Sequence, residues 1–509
     1  MRPGTRSVPI PPTPTIGWSV DSSGPTINSR ERSLSDPIVA WFSDRYAVAV
    51  LDGGAVAAMA TEQPALTRGL GPVEAMALVV GGTIGASIFL VPSAIAREVG
   101  SPGLELTTWL VTGLLALCGA LSFAELAGAI PETGGTYQFL KRAYPGTPIA
   151  FLFGWMMFFA YAAGATAVTS SLAALYAGQF IPGLAEAGPW ATRVLTVVII
   201  MTFAIINALG VTAGGRTQNI LTVLKVGGLL TVVGACFLLG NGSVANFLPV
   251  LPADKSSAEM VSSVGTAMIL TIFSYSGWYF ITHVAGEVRE PAKNLPRAIV
   301  GGMVTLIALY LSINAAYLYV LPFDQLKASP RVAADAMQVV LGPTGATVIA
   351  VVVFRSGIGG ANAQLLNYPR VTFSLAQDGL FFSRLARVHP TRRTPATAIL
   401  VFGVIASGFA LAGTYQEILT YVGFVGQSFM LLTVLGLMVL RRREPNLPRP
   451  FKVPGYPVVP LVYIAILVWY LGNLLIARLE SSLVGIGIVA AGLPFYWYWS
   501  RKKRLVAND

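Results

Sequence analysis

The chain has 509 residues, of which 54% are hydrophobic and 11% charged. A soluble domain carries about 25% charged residues, so this composition excludes a single water-soluble core and indicates an integral membrane protein. The net charge of +11 is weak support for nucleic-acid binding, because excess Lys and Arg in membrane proteins mark the cytoplasmic loops. Cys118 and Cys236 both lie inside apolar segments, and the histidines are His283 and His389 alone. Neither a disulfide framework nor a zinc or histidine metal site follows. No catalytic motif stands out, and the chain reads as a non-enzyme without a metal or cofactor.

Residues 1–68 differ from the rest. PIPPTPT and DSSGPTINSRERSLSD are rich in Pro, Ser and Gly and read as a disordered cytoplasmic tail. The apolar stretch IVAWFSDRYAVAVL is interrupted by Asp44 and Arg45 before it reaches spanning length, and no signal peptide is present. Met59 stands shortly before the first long apolar run, an alternative start that N-terminal sequencing of the purified protein would test.

From Val73 on, apolar runs of spanning length recur, as a ~30 Å hydrocarbon core requires of helices. Twelve are read, near residues 73–97, 104–130, 147–180, 190–210, 217–240, 260–286, 296–321, 343–375, 395–413, 416–440, 456–477 and 481–500. The runs are continuous rather than alternating, which argues for helices and against a barrel. With the N-terminus inside, Arg68, Lys141, Arg142, Arg216, Arg289, Arg370, Arg384, Arg387, Arg392, Arg393, Arg441 to Arg443 and the RKKR run at 501–504 all fall on one side. The opposite loops hold few cations, so both termini are placed in the cytoplasm.

The first run carries GGTIGASIFLVPS at residues 81–93, three glycines and a proline where a helix should be strongest. Two readings fit: a small-residue face for helix packing, or a mid-membrane break whose free backbone groups line a polar site. The sixth run, FSYSGWYFITHVAGEVREP at 273–291, again places Ser274, Ser276 and Gly277 mid-span. Interrupted spans at matching places in two halves point to an inverted-repeat transporter with its site at the midplane.

Charged and polar residues inside spans are candidates by default. Lys225 lies about ten residues into the fifth run, roughly 15 Å deep at 1.5 Å per residue; proton exchange and a structural pairing with carbonyls are the two readings. Arg355, mid-span in VVVFRSGIGGAN, either faces a cavity or pairs with a scaffold carboxylate. Glu125 and Glu287, near cytoplasmic ends of the second and sixth spans, are inner-gate groups or interface anchors. Asn362 is a polar lining residue or an interhelical hydrogen-bonding one. Trp469, Trp497 and Trp499 read as parts of interfacial belts.

The segments IGASIF at 84–89, AELAGAIPETGGTYQFL at 124–140 and GEVREPAKNLPRAI at 286–299 together resemble the amino acid–polyamine–organocation superfamily, closest to its L-type amino acid transporter group. The similarity runs from about Val73 to Arg443. It implies an all-α membrane fold of twelve transmembrane helices with a five-plus-five inverted repeat of the leucine-transporter type. Residues 69–443 would form the transporter core, helices 1–10, and residues 444–509 helices 11 and 12 with a short basic tail.

By the same resemblance, the substrate carboxylate binds backbone at Ile84, Gly85, Ala86, Ser87 and Ile88. Here Ala86 and Ser87 stand where the family usually has Ser and Gly. Phe273 would close over the substrate, and carbonyls near Phe273 and Ser274 would take the amino group. Ser276 replaces a common Gly, which suggests a smaller side-chain pocket. Lys225 matches a lysine of sodium-independent members whose ammonium substitutes for a bound sodium ion, bridging the broken first helix to the eighth near Ser356. Arg355 stands where the family usually has an apolar residue.

The expected function is a sodium-independent secondary transporter, an exchanger or a proton-coupled permease, for neutral L-amino acids in the plasma membrane. The alternatives are a polyamine or organic-cation permease and a non-transporting amino acid sensor of the same fold. The loop IPGLAEAGPW between the third and fourth spans has no cysteine, so no disulfide-linked heavy chain is expected as a partner. The remaining partners are the amino acid substrate and the lipid bilayer.

Overall fold

The computed structural model of the chain describes residues 65–508, apart from Ala86, Ala185, Phe273, Thr414 and Arg478, together with two strands nearer the N-terminus. Those strands, β1 (Tyr46–Val50) and β2 (Val56–Ala60), pair antiparallel with Val48 opposite Ala58. They belong to the first of two units, Met1–Glu62; the second is Gln63–Asp509.

The second unit is helical among its described residues. It opens with three short helices, α1 (Pro72–Thr83), α2 (Ser87–Leu90) and α3 (Pro92–Val99). The long α4 (Pro102–Ala129) starts with Ser101 as its N-cap, whose Oγ accepts from the Leu104 amide at 3.3 Å, and with Pro102 in the first turn. A short, largely buried helix, α5 (Thr136–Ala143), leads into α6 (Ile149–Met156), a π-turn at Met157–Tyr161 and α7 (Ala162–Ala177). Then come α8 (Pro189–Leu209) and α9 (Val211–Leu238). The next span, α10 (Ser257–Thr271), begins with a capping box between Ser256 and Glu259 and gives way to turns before the single-turn α11 (Phe280–His283).

The remaining helices are α12 (Pro291–Val320), α13 (Phe323–Ala328), α14 (Val332–Leu341), α15 (Thr344–Gln377), α16 (Ala396–Ala412), α17 (Tyr415–Arg443), α18 (Val458–Ala477), α19 (Leu479–Ala490) and α20 (Leu493–Asn508). Among the described residues, nine helical stretches are long and apolar enough to cross a membrane. The other three expected runs are the first, divided into α1 to α3, the sixth, divided into α10 and α11, and the ninth, where α16 has 17 residues.

Two features position the centre. Helices α4 and α12 pack antiparallel, with Trp109 and Tyr310 ring centroids 5.6 Å apart, and enclose the broken sixth span between their aromatic faces. Around the outside, apolar side chains such as Leu175, Val223, Leu230, Val404 and Val468 are exposed; in water such a surface would drive aggregation, and in lipid it is the expected one. Trp469 and Trp497 are 42% and 59% exposed, as belt residues should be, but Trp499 is 8% exposed and packs inward. On a helix, residues two apart cannot share a face, so Trp497 and Trp499 must separate.

Candidate functional site

The first span breaks at Ile84. Helix α1 ends at Thr83, Ile84 has φ −64° and ψ 103°, and α2 begins at Ser87. The glycines before the break serve different ends. A Cβ on Gly81 would meet Thr222 Oγ1 at 2.0 Å and Gln218 Nε2 at 2.6 Å, so only glycine lets α1 lie this close to α9. The space beside Gly85 is open: the nearest atoms to a Cβ there are 3.9 and 4.0 Å away. Gly85 and Ser87 are half-buried while Ile84 and Ile88 are buried. Leading residues of a new helical turn present amides with no intrahelical acceptor, and a methyl on Gly85 would meet nothing closer than ordinary contact.

The sixth span breaks between Thr271 and Phe280. Gly277 adopts φ +129°, and its Cβ would lie 2.8 Å from the Gly82 carbonyl oxygen and 2.9 Å from Thr83 Cα. The two breaks therefore touch backbone to backbone. Tyr310 of α12 ties them, its hydroxyl donating to the Ser274 carbonyl at 2.9 Å and lying 3.4 Å from the Thr83 carbonyl. Ser276 Oγ donates back to Ile272 O at 3.0 Å, and the Ser274 hydroxyl is buried without a protein partner. Ala86 and Phe273 lie outside the described residues.

Lys225 is fully buried. Helix α9 starts at Val211, six residues before the sequence suggested, so Lys225 sits half-way along its 28 residues, deeper than the roughly 15 Å expected. Its Nζ donates to Gly81 O and Ile84 O, both at 2.7 Å. These are carbonyls released by the end of α1. Ser356 of α15 adds a 3.4 Å hydrogen bond to the same Ile84 oxygen. A primary ammonium has three donors and no acceptor, so it replaces part of the coordination that a helix end lacks in hydrocarbon.

A cavity of about 40 Å³ lies on the far side of the sixth-span break, lined among others by Thr112, Met157, Tyr161, Ser276, Tyr279 and Gln427. The π-turn carries Met157 and Tyr161 into this wall, which is the usual company of such turns. None of Gly85, Ser87, Lys225 or Ser356 lines it. Among the described residues, Ser276 of the sixth span lines this cavity, while the next residue, Gly277, lies against Gly82 and Thr83 of the first span.

At the end of the molecule that gathers the arginines, the two glutamates are ion-paired. Glu287 and Arg370 are both fully buried and bidentate, at 2.8 and 3.1 Å. The backbone beside them is stitched too: Leu70 N donates to Glu287 O at 3.0 Å and Arg289 N to Leu70 O at 2.8 Å, a parallel bridge between Leu70 and Val288. Glu125, buried on α4, takes Arg441 of α17, Arg449 at 3.3 Å and the Val453 amide at 2.7 Å. Further out, Lys141 and Tyr137 of α5 both hold Asp378, at 2.7 and 2.6 Å, and Arg142 holds Glu444 at 2.6 Å. The hydrogen bond from Arg142 keeps the Glu444 carboxyl below the usual carboxylate range. Burial and then Asp378 push the Tyr137 phenol up, so it acts as a neutral donor.

Asn362 is buried in an interhelical network rather than at the break. Its amide donates to Gln218 Oε1 at 2.8 Å and its oxygen accepts from Asn207 at 2.9 Å. Arg355 is half-buried on α15, and among the described residues no hydrogen bond or ion pair holds it. The chain alone does not disclose Tyr310, Arg370 or Arg441 as partners. Tyr310 reads as one more aromatic in an apolar run, and Arg441 lies 316 residues from Glu125.

Comparison with known proteins adds a name to this geometry. Residues 70–482 match the family profile described as amino acid permease. The serine/threonine exchanger SteT of Bacillus subtilis is 31% identical over 448 residues, covering 87% of this chain and all of its own. The mouse Asc-type amino acid transporter 1 is 32% identical over 455 residues, 88% of this chain and 84% of its own. The human large neutral amino acids transporter small subunit 2 is 31% identical over 458 residues, 87% and 83% respectively.

Proposed function

Since the chain belongs to the amino acid permease family, we propose that it is a sodium-independent secondary transporter that moves neutral L-amino acids across the plasma membrane by alternating access. The observation that carries this reading is Lys225. Its ammonium sits on the two carbonyls at the first-span break, 2.7 Å from each, with Ser356 beside it. A monovalent cation bound there would need those same oxygens, and the fixed charge makes the bound ion dispensable.

The substrate zwitterion is read as bridging the two breaks. Its carboxylate meets the amides from Gly85 to Ile88, Ala86 included, and its ammonium meets the carbonyls from Phe273 to Ser274. The Ser274 oxygen already takes one hydrogen bond from Tyr310, and a carbonyl keeps a second lone pair. Phe273 is assigned the lid. Ser87 and Ser276 narrow the side-chain space, and the relative named a serine/threonine exchanger supports a small neutral substrate over the large neutral ones for which the human relative is named. The name of the Bacillus relative favours exchange over proton coupling.

The topology proposed is twelve spans, with the broken first and sixth at equivalent places of a five-plus-five repeat and both termini cytoplasmic. Glu287–Arg370 and Glu125–Arg441 then lie at the inner side, where opening to the cytoplasm requires at least one to part. The loop between α7 and α8 has no cysteine, while Cys118 is half-buried and Cys236 buried, which supports a chain that works without a disulfide-linked partner.

The test is uptake of labelled serine, alanine, leucine, arginine and putrescine into proteoliposomes, with and without sodium, a pH gradient and internal substrate. Sodium-independent flux of a neutral amino acid that requires internal substrate is the expected result. Binding without flux would point to a sensor, and flux of putrescine or arginine alone would overturn the substrate class.

A further inference from the structure

The last helix ends in FYWYWSRKKRL, and its two sides behave differently. Trp499 turns inward, with ring centroids 5.2 Å from Phe381, 5.4 Å from Phe382 and 5.9 Å from Phe495. That face fixes the helix against the segment following α15. On the opposite side, Pro494, Trp497, Tyr498, Arg501, Lys502 and Leu505 share one open face of the helix. Their spacing of three and four residues is that of a single helical stripe.

Trp497 and Tyr498 are 59% and 61% exposed, and Arg501 and Lys502 are exposed one turn further on. Among the described residues neither cation has a hydrogen bond or an ion pair. Basic residues beyond a span ordinarily feel only the diffuse charge of the membrane surface. Here two unneutralised cations share one helix face with two aromatic rings, on a helix whose other side is locked. An aromatic pair at head-group depth with cations just beyond it matches one amphiphile in sequence along the helix: acyl chain and glycerol against the rings, phosphate against the guanidinium and ammonium.

We infer that this stripe of α20 is a binding site for a single anionic glycerophospholipid, held by Arg501 and Lys502 at its phosphate and by Trp497 and Tyr498 along its glycerol and upper chain.

The experiment is native mass spectrometry of the purified full chain titrated with phosphatidylglycerol or with phosphatidylcholine of the same acyl chains. Wild type should retain one phosphatidylglycerol roughly 10-fold to 30-fold better than phosphatidylcholine, as two surface cations imply. Arg501→Gln/Lys502→Gln should retain the two lipids alike, and Arg501→Lys/Lys502→Arg should keep the preference. The substituted residues are exposed, so an unchanged melting temperature shows that the fold is intact. Equal retention by wild type, or an undiminished preference in the double Gln variant, overturns the site. Displacement of the lipid by millimolar inorganic phosphate would make it a site for free anions and overturn the lipid assignment.

Discussion

The helix breaks and the arginine-rich end of this protein solve the same problem with different materials. At the breaks the contacts are made by backbone: carbonyls of Gly81, Ile84, Thr83 and Ser274 are held by Lys225, Ser356 and Tyr310. At the other end side chains meet side chains, Glu287 with Arg370 and Glu125 with Arg441 and Arg449. Backbone groups are present whatever the side chain is, so these contacts place little demand on side-chain identity. The Glu287–Arg370 pair has no such latitude, because either partner left alone is a buried charge, whereas Glu125 shares its charge among Arg441, Arg449 and the Val453 amide.

The sharpest way to break the comparison is at Arg370. Arg370→Ala leaves Glu287 buried without its partner and should lower stability by about 3–5 kcal/mol, read as a large drop in melting temperature of the detergent-purified protein. The exchanged pair Glu287→Arg/Arg370→Glu should recover part of it. No loss in the single variant would mean that the carboxylate finds another donor.

Next is Lys225→Ala, which frees two mid-membrane carbonyls. Uptake should fall roughly 100-fold, about 2.7 kcal/mol of lost stabilisation, and added sodium should restore some of it if the ammonium stands in for that ion. Persistent flux would detach Lys225 from transport.

Gly277→Ala tests whether the backbone contact is as tight as it looks. Strain at φ +129° and a 2.8 Å approach to Gly82 O should cost about 1–3 kcal/mol, seen as a lowered melting temperature together with reduced uptake. Ser276→Gly should be gentler. It removes one small side chain from the cavity wall and should move the leucine-to-serine ratio of kcat/KM toward leucine by up to about 10-fold.

The smallest effect belongs to the exposed rim. Arg142 holds the Glu444 carboxyl below its ordinary range, so the pair's contribution is present above the unfolded carboxylate value and is lost as pH falls through the lower folded one. With both side chains about one-third exposed, Glu444→Gln should cost under ~1 kcal/mol. The difference in melting temperature between variant and wild type should vanish in acid.

What the sequence discloses follows the same division. Glycine, proline and a lone lysine inside an apolar run are anomalies against a strong background, so the segment near Ile84 and Lys225 stand out in the sequence, though the glycines alone fit a packing face as well as a break. Which oxygens the lysine meets cannot, because they are backbone and carry no residue signature. Glu125 and Glu287 are visible as charges near span ends, but their partners depend on how helices far apart in sequence pack. Asn362 admits two readings until the neighbouring Asn207 and Gln218 are in place. The belt assignment of Trp499 fails for a simpler reason: residue type gives depth along a helix, and only the turn angle gives direction.

The bridge at Leu70 has a mechanical corollary. Two rungs of backbone hydrogen bonding join the entry to α1 with the exit from the sixth span, at Glu287 and Arg289. A ladder that short resists axial sliding but offers little resistance to twist. The two discontinuous helices are thereby joined at one end, so a tilt of either would pull on the other through Val288.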